Sequence, residues 1–172
     1  MRKILIIILV ALAVTVFAAF YRSRNVGPVK IDPTEHTQNL YQNSAHGFSF
    51  AKPHGVMVGE FEEANGTETI VVQSAADTKT AGFQILISLF DDTDTTITKE
   101  RIKKDIPDMK IENEKEISIG GAAALSFLSN SAAFGGISFE VWFVRDGNLY
   151  QASGYSLDKN FMEQILATWK WQ

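Results

Sequence analysis

The chain has 172 residues, of which 45% are hydrophobic and none is cysteine. This length and composition indicate one globular domain plus an N-terminal segment, and they exclude a wholly disordered chain. The lack of cysteine excludes a disulfide scaffold and Cys-ligated zinc or iron–sulfur sites. A multi-span membrane protein is also excluded, because only one apolar run is long enough to cross a bilayer.

The formal net charge of −4 at pH 7 is distributed unevenly along the chain. Arg2, Lys3, Arg22 and Arg24 are basic, and all 20 acidic residues follow them. The remainder is therefore acidic, whereas a protein that neutralises nucleic-acid phosphates needs a basic face. We expect no nucleic-acid partner, and charge alone would not hold this domain on an anionic membrane.

The uncharged run over residues 4–20 begins at Ile4, ends at Phe20 and contains one polar residue, Thr15. A spanning helix needs about 17–25 apolar residues and a secretory core about 7–15, so this run lies between the two classes. We favour an uncleaved membrane anchor over residues 1–21. The alternative is a signal peptide cleaved after Ala18, which would release a secreted protein.

Basic residues flank the apolar run almost equally, so the positive-inside rule is nearly balanced. The short N-terminal tail favours a single-pass protein of the cell membrane with its C-terminal domain outside the cytoplasm. Residues 22–44 are predicted to be a linker, because they carry turn formers and charges without an apolar period. The folded domain is predicted over residues 45–172.

Alternating and apolar runs predict strands through the first half of the domain. They cover residues 48–51, 56–62, 69–73 and 83–90. The pair Asn65-Gly66 is a strong hairpin signal between the second and third of these strands. Residues 83–90 are apolar on both faces, which is typical of a central strand covered on both sides.

A short helix is predicted next, with Thr96 or Thr98 as its N-cap and Ile102 and Ile106 on one face, ending at Pro107. Four further strands are predicted, over residues 109–119, 122–128, 137–144 and 149–155. The intervening turns fall at Gly120-Gly121, Gly135-Gly136 and Asp146-Gly147.

A closing helix is predicted from Ser156 as its N-cap, with Phe161, Ile165, Leu166 and Trp169 forming one apolar stripe. The hairpins imply antiparallel pairing. The fold class is therefore α+β, with an antiparallel sheet of about six to eight strands flanked by helices.

The segment Tyr41-x-x-x-x-x-Gly47-Phe48-Ser49-Phe50-x-x-Pro53 resembles the opening of PsbP-like domains. The Gly120-Gly121 turn, the hairpin at Asp146-Gly147 and the closing helix are similar in order, so the resemblance covers about residues 40–172. It implies an antiparallel sheet flanked by helices, and it points to an exported, tethered bacterial member. Named members bind photosystem II, and a structural relative binds the Ran GTPase. No binding motif of those proteins is matched here, so we predict neither role.

Candidate nucleophilic sites depend on the three histidines, His36, His46 and His54. A Ser–His pair using His46 or His54 stays open, because such partners need not be near in sequence. The Gly-x-Ser-x-Gly elbow is absent, and His36 falls in the predicted linker. We interpret all three as surface or loop histidines.

The run Asp91-Asp92-Thr93-Asp94 could hold calcium, but it lacks the glycine and the terminal glutamate of an EF-hand loop. We interpret it as a solvated turn before the helix. No glycine-rich phosphate-binding loop is present. We therefore assign no catalytic, cofactor-binding or metal-binding residue, and no cofactor.

The remaining candidates are aromatic side chains, which we interpret as core. They are Phe139, Trp142, Phe143, Trp169 and Trp171. A cavity bounded by Trp142 and Trp169 would indicate a carrier of a small apolar ligand, and Trp171 is the best candidate for an exposed contact.

The function predicted from the sequence is a membrane-tethered, exported, non-catalytic binding or accessory module that acts on a protein partner near the membrane. A hydrolase with an unrecognised site and an apolar-ligand carrier are the alternatives.

Overall fold

The computed structural model describes residues 40–63, 66–74, 82–90 and 93–172. All of them belong to one structural unit, Asn39–Gln172. The predictions for residues 1–39, including the anchor over residues 4–20 and the site after Ala18, lie outside the described residues. In the part of the chain that is described, no helix is long and apolar enough to cross a membrane.

A seven-stranded antiparallel sheet forms the centre of the domain. Its strands are β3 (Val56–Glu62), β4 (Glu68–Ser74), β5 (Gly82–Leu89), β6 (Ile111–Ile119), β7 (Ala122–Ser129), β8 (Ser138–Arg145) and β9 (Asn148–Tyr155). Their order across the sheet is β3-β4-β5-β9-β8-β7-β6. The predicted α+β class and the antiparallel sheet are confirmed, and β5 is an interior strand between β4 and β9 as its two apolar faces predict.

A smaller sheet of three strands was not predicted. It contains β1 (Leu40–Asn43), β2 (Phe48–Ala51) and β10 (Lys170–Trp171), with β2 in the middle. The helices are α1 (Lys99–Asp105) and α2 (Lys159–Leu166), and single 3₁₀ turns cover Ala132–Phe134 and Ser156–Asp158.

Two hydrophobic cores lie on opposite faces of the large sheet. Strand β8 shows the division, because successive strand residues point to opposite faces. Phe139, Val141 and Phe143 belong to the first core, whereas Trp142 and Val144 belong to the second. The first core also takes in Phe48 and Phe50 of β2 and Met162, Ile165 and Leu166 of α2. The second core includes Phe90, Ile97, Ile102 of α1, Phe127 and Leu149.

Helix α1 follows its sequence signals closely. The Thr98 hydroxyl accepts a hydrogen bond from the backbone N–H of Arg101 at 3.2 Å, so Thr98 is the N-cap rather than Thr96. The helix ends at Asp105 with Ile106 as its C-cap, directly before Pro107. Ile102 is fully buried on the inward face.

The end of the chain differs from the prediction of one helix running from Ser156 to Trp169. Ser156 opens a 3₁₀ turn, α2 begins only at Lys159, and it ends at Leu166. Trp169 belongs to the core but lies beyond the helix, and Lys170 and Trp171 pair with Ser49 and Phe48 of β2. A strand of two residues is too short to show the alternation of apolar and polar residues from which strands are predicted.

Strand β1 lies within residues 22–44, where the sequence predicts a linker. The stretch Leu40–Asn43 has no apolar alternation of its own. It becomes a strand because it pairs with β2, from Leu40 opposite Ala51 to Asn43 opposite Phe48. Tertiary pairing overrides a weak local preference here.

Candidate functional site

A buried acidic side chain, Glu140, lies in the middle of the second face of the large sheet and is only 2% exposed. Across the strands it stands opposite Phe127 of β7 and Ser153 of β9, and Ser153 in turn stands opposite Gln84 of β5. Opposite residues in an antiparallel pair share a face. A polar row therefore crosses β5, β9 and β8 beside the second hydrophobic core.

The carboxylate of Glu140 accepts four hydrogen bonds from side chains. Ser129 Oγ donates to Oε1 at 3.1 Å, and Trp142 Nε1 donates to Oε2 at 3.1 Å. Ser138 Oγ donates to Oε1, and Ser153 Oγ donates to Oε2. An ionised carboxylate offers about four lone-pair positions, so its accepting capacity is used fully.

Burial raises the pKa of the Glu140 carboxyl above its ordinary range, because desolvation penalises the charged form. The bonds from Ser138, Ser153, Trp142 and Ser129 act in the opposite direction, but the effect of burial is larger. The site thus combines a buried acid, which is costly, with four hydrogen-bond donors that fill its accepting positions.

Two buried amide oxygens beside this cluster have no hydrogen-bond partner: Gln84 Oε1 and Gln151 Oε1. Gln84 is 4% exposed and Gln151 is 7% exposed. Gln151 lies two residues before Ser153 on β9, so the two side chains share a face. Ser153 itself is only partly buried.

His46 joins a different polar network, between the small sheet and β4. Its Nε2 lies 3.1 Å from Glu68 Oε2, and Asn43 Nδ2 donates to Glu68 Oε1 at 2.6 Å. Asn43 Oδ1 accepts from the backbone N–H of His46 at 2.9 Å. Within the described ranges, no Ser or Thr hydroxyl bonds to the His46 ring. The His46–Glu68 contact is therefore not part of a nucleophilic triad. Together with Asn43, it holds the turn between β1 and β2 against Glu68 of β4.

The other histidine candidate does not contribute to a described site. His54 is exposed in the turn between β2 and β3, and His36 lies outside the described residues. Asp91 and Asp92 of the acidic run also lie outside them, while Asp94 Oδ2 lies 3.6 Å from Arg101 Nη1. Among the residues that the structure describes, no group of three or more His, Cys, Asp or Glu side chains could hold a metal.

The aromatic residues pack into the cores. Trp142 belongs to the second core and Trp169 to the first, so they lie on opposite faces and do not bound one cavity. Trp171 is partly buried, 6.0 Å from the Phe48 ring between centroids, and Arg145 Cζ lies 5.4 Å from its ring centroid. This packing does not fit the expectation that Trp171 makes an exposed contact. Trp171 is held against the core because it pairs with Phe48 of β2.

The Glu140 cluster was not predicted from the sequence, although the sequence contains one indication of it. Glu140 occupies an inward position of a strand that is otherwise apolar, Phe139 to Val144. The donors come from three strands, and only the register brings Ser129, Ser138 and Ser153 together. A single acidic residue in a buried strand is costly unless its carboxylate is paired. An acidic residue within an apolar strand of the sequence therefore indicates a buried polar cluster.

The architecture is that of an α+β domain with a PsbP-like fold. It is similar to the solution structure of cyanobacterial PsbP (CyanoP) from Synechocystis sp. PCC 6803, with a TM-score of 0.54 and 14% sequence identity over 85% of this chain and 100% of that one. The fold implied by the sequence resemblance is thereby confirmed.

A crystal structure from Bacteroides thetaiotaomicron VPI-5482 is a more distant match. Its TM-score is 0.44 at 14% identity, covering 77% of this chain and 48% of that one. No family model and no curated protein sequence matches the chain.

Proposed function

We propose that the chain is a non-catalytic binding module, held at the cell membrane by residues 4–20, whose folded domain acts outside the cytoplasm on a protein partner. The PsbP-like fold supports the reading as an accessory module. The charge-free run from Ile4 to Phe20 supports the tether, because its length is within reach of a spanning helix.

The observation that carries this proposal is a group of exposed apolar side chains at one end of the β8–β9 pair. Leu157 is 90% exposed, Ile137 58% and Tyr155 41%. Tyr155 stands opposite Ser138, next to Ile137, and its ring packs against Phe134 with centroids 5.4 Å apart. Single exposed apolar residues are ordinary, but several at the same end of the β8–β9 pair favour a protein contact.

The polar networks support binding over catalysis. The His46 ring is engaged by Glu68, and the Glu140 carboxylate is occupied by four donors. A nucleophile needs a base that is free to take its proton. Glu68 could orient His46 as a base, but among the described residues no hydrogen bond links a Ser or Thr hydroxyl to the His46 ring, so the hydrolase alternative lacks a nucleophile paired with a base. The carrier alternative loses its main support because Trp142 and Trp169 belong to separate cores.

Photocrosslinking in intact cells tests the partner. A photoreactive amino acid replaces Leu157 in the full chain, and the matched control carries it at Lys104, an exposed position on α1. We expect one protein to crosslink from position 157, not from position 104, and to be lost with Ile137→Asp. Equal crosslinking from both positions, or none from position 157, would contradict a partner at this edge.

Protease added to intact cells tests the orientation independently. We expect the added protease to cleave within residues 45–172. A known cytoplasmic protein is the control and should stay intact. Protection of this domain while a known exterior domain is cut would place it inside and reject export.

A further inference from the structure

We propose that the outer edge of β3 binds an extended, basic segment of a partner protein, which adds to the large sheet as an eighth strand. The inference goes beyond the function proposed above. It involves neither the membrane tether nor the exposed side chains at Leu157, so either proposal can fail without the other.

Strand β3 lies at one edge of the large sheet and, among the described residues, pairs with β4 alone. The β3–β4 turn shows which backbone groups bond to β4. The N–H of Glu63 donates to the carbonyl of Thr67 at 2.8 Å, and these two residues continue the strand register, so they form a hydrogen-bonded pair. Such pairs alternate along an antiparallel ladder. The N–H and C=O groups of Val58, Glu60 and Glu62 therefore point away from β4.

The outer side of β3 thus carries a row of backbone donors and acceptors that no backbone group of the described residues pairs with. Such a row is a template for a further strand. β3 is seven residues long, contains no proline or lysine, and keeps an unbroken register with β4 from Val56 to Glu62. Its edge is therefore regular enough to pair with another extended segment.

The other sheet edges are less suited to the addition of a strand. At the opposite edge of the large sheet, the pairing of β6 is interrupted between Glu112 and Lys115, where Asn113 has a positive φ of 55°. A bulge and charges of this kind disrupt an edge. In the small sheet, β1 has four residues and β10 has two. Among these four edge strands, β3 has the longest uninterrupted pairing.

Acidic side chains determine which segment fits the β3 edge. Glu60 and Glu62 are exposed, and Glu62 stands directly opposite Glu68 of β4, an arrangement of like charges that is unfavourable. Within the described ranges, neither Glu60 nor Glu62 forms an ion pair, and Glu60 accepts a hydrogen bond from the Tyr41 hydroxyl at 2.5 Å. Residues paired opposite Glu60 and Glu62 would share their face. Lysine or arginine at those two positions would compensate both charges.

The same charges disfavour a second copy of this chain as the occupant. Two β3 edges paired with each other would bring the glutamates of both copies to one seam, and β3 has no basic side chain to offset them. A segment with basic residues at alternate positions gains charge pairs in addition to backbone hydrogen bonds. The edge therefore fits a different protein.

A fluorescein-labelled peptide with the sequence Thr-Lys-Thr-Lys-Thr-Val-Thr tests the proposal on the full chain in a mild non-ionic detergent. When it pairs antiparallel to β3, its two lysines stand opposite Glu62 and Glu60 and its valine stands opposite Val58. Fluorescence anisotropy measures the binding. We expect saturable binding, because the peptide supplies both the backbone groups and the charges that the edge lacks.

Two control peptides test for backbone pairing, each with one backbone N-methyl group. In the first, the methyl group is on the second lysine, whose N–H faces β3. In the second, it is on the threonine that follows this lysine, whose N–H faces away. We expect the first control to bind about tenfold more weakly than the parent peptide, and the second to bind like it.

Two charge reversals locate the binding on the protein. Glu62→Lys should weaken binding about fivefold, because a repulsion between exposed charges replaces an attraction. Glu116→Lys, at an exposed position of β6, changes the net charge equally and should bind like the parent. Circular dichroism confirms that both variants are folded.

Amide hydrogen exchange gives a readout at single residues. In the free chain, the N–H groups of Val58, Glu60 and Glu62 should exchange quickly, whereas those of Gly59 and Phe61, which bond to β4, should exchange slowly. The peptide should slow exchange in the first group and leave the second unchanged.

Several outcomes would overturn the proposal. They are equal binding of the two N-methylated peptides, no binding of the parent peptide, and equal weakening by Glu62→Lys and Glu116→Lys, which would indicate a general attraction between charges. Protection of Val58 and Glu60 that increases with protein concentration in the absence of peptide would assign the edge to a second copy, and would overturn the proposal as well.

Discussion

The indole of Trp169 stacks on the ring of Phe48, with centroids 4.0 Å apart and planes inclined by 15°. Phe48 lies on β2, in the segment that resembles PsbP-like domains, whereas Trp169 follows α2 near the end of the chain. The Trp169 ring also lies 5.6 Å from the ring of Phe143 on β8, between centroids, so the stacked pair packs the small sheet against the large one in the first core. Phe48 is fully buried, and Trp169 is nearly so.

Replacing Phe48 with alanine should destabilise the domain strongly. Deleting a buried aromatic ring removes its transfer free energy and leaves a cavity, which costs about 3–5 kcal/mol. Urea unfolding followed by tryptophan fluorescence measures the loss. Tyr155→Ala, at a partly exposed ring, is the control and should cost about 1 kcal/mol or less. Equal losses for the two variants would show that the Phe48–Trp169 stack does not anchor the small sheet.

The strands with apolar alternation and glycine turns were predictable. Gly66 and Gly147 both have positive φ, and each lies in the turn of an antiparallel hairpin that the sequence predicts. Local chemistry decides such elements. β1 and β10 could not be found this way, because four and two residues form strands only by pairing with β2.

The candidate site was less predictable than the fold for the same physical reason. Glu140 is visible as an inward acid, but its donors come from β7, β8 and β9, and the unpartnered oxygens come from β5 and β9. Their meeting depends on strand order and register, which the sequence leaves open. The histidines and the acidic run have reactive residue types, but His46 is held in a local polar contact with Glu68 and Asn43 rather than beside a nucleophile.

Gly120→Ala and Gly121→Ala should have clearly different effects on stability. Both glycines have positive φ, of 57° and 91°, so alanine at either position is strained by about 1–2 kcal/mol. A Cβ at Gly120 would also lie 2.8 Å from Trp171 Nε1 and 2.9 Å from Trp169 Cδ1, while one at Gly121 would meet nothing within 4 Å. We expect Gly120→Ala to cost about 1–3 kcal/mol more.

Thermal unfolding measures this pair of variants, and tryptophan fluorescence gives a second readout. The clash at Gly120 involves both indoles, so Gly120→Ala should shift the emission spectrum while Gly121→Ala leaves it unchanged. Indistinguishable melting temperatures would contradict the close approach of the β6–β7 turn to Trp171.

Thr98→Ala should destabilise the domain by about 1 kcal/mol, the usual cost of losing an N-cap oxygen. The hydroxyl of Thr98 accepts from the N–H of Arg101, and alanine leaves that donor to water. The matched control is Thr96→Ala, because Thr96 is exposed and lies outside the helix. Denaturant unfolding compares the two. A larger loss for Thr96→Ala than for Thr98→Ala would contradict the assignment of Thr98 as the N-cap of α1.

Glu140→Gln should change the pH dependence of stability. Burial raises the pKa of Glu140 in the folded state above about 4.3, the value in an unfolded chain. Between these two values the folded state binds more protons than the unfolded state, so the free energy of unfolding falls as pH rises. Glutamine does not titrate, so the Glu140→Gln variant lacks this contribution of residue 140 to the pH dependence of stability. We expect the stability of the parent relative to Glu140→Gln to decrease from pH 4 upward, by at most about 1.4 kcal/mol per pH unit.

Glu114→Gln is the control of opposite sign. Lys99 Nζ donates to Glu114 Oε1 at 2.5 Å, and this bond lowers the pKa of Glu114. Stability from a lowered pKa is complete above the unfolded value and is lost only as pH falls below it. The difference between the parent and Glu114→Gln should therefore stay constant from pH 5 to pH 8, measured by urea unfolding at each pH. A constant difference for Glu140→Gln over the full range from pH 4 to pH 8 would mean that the four donors fully offset the burial of its carboxylate.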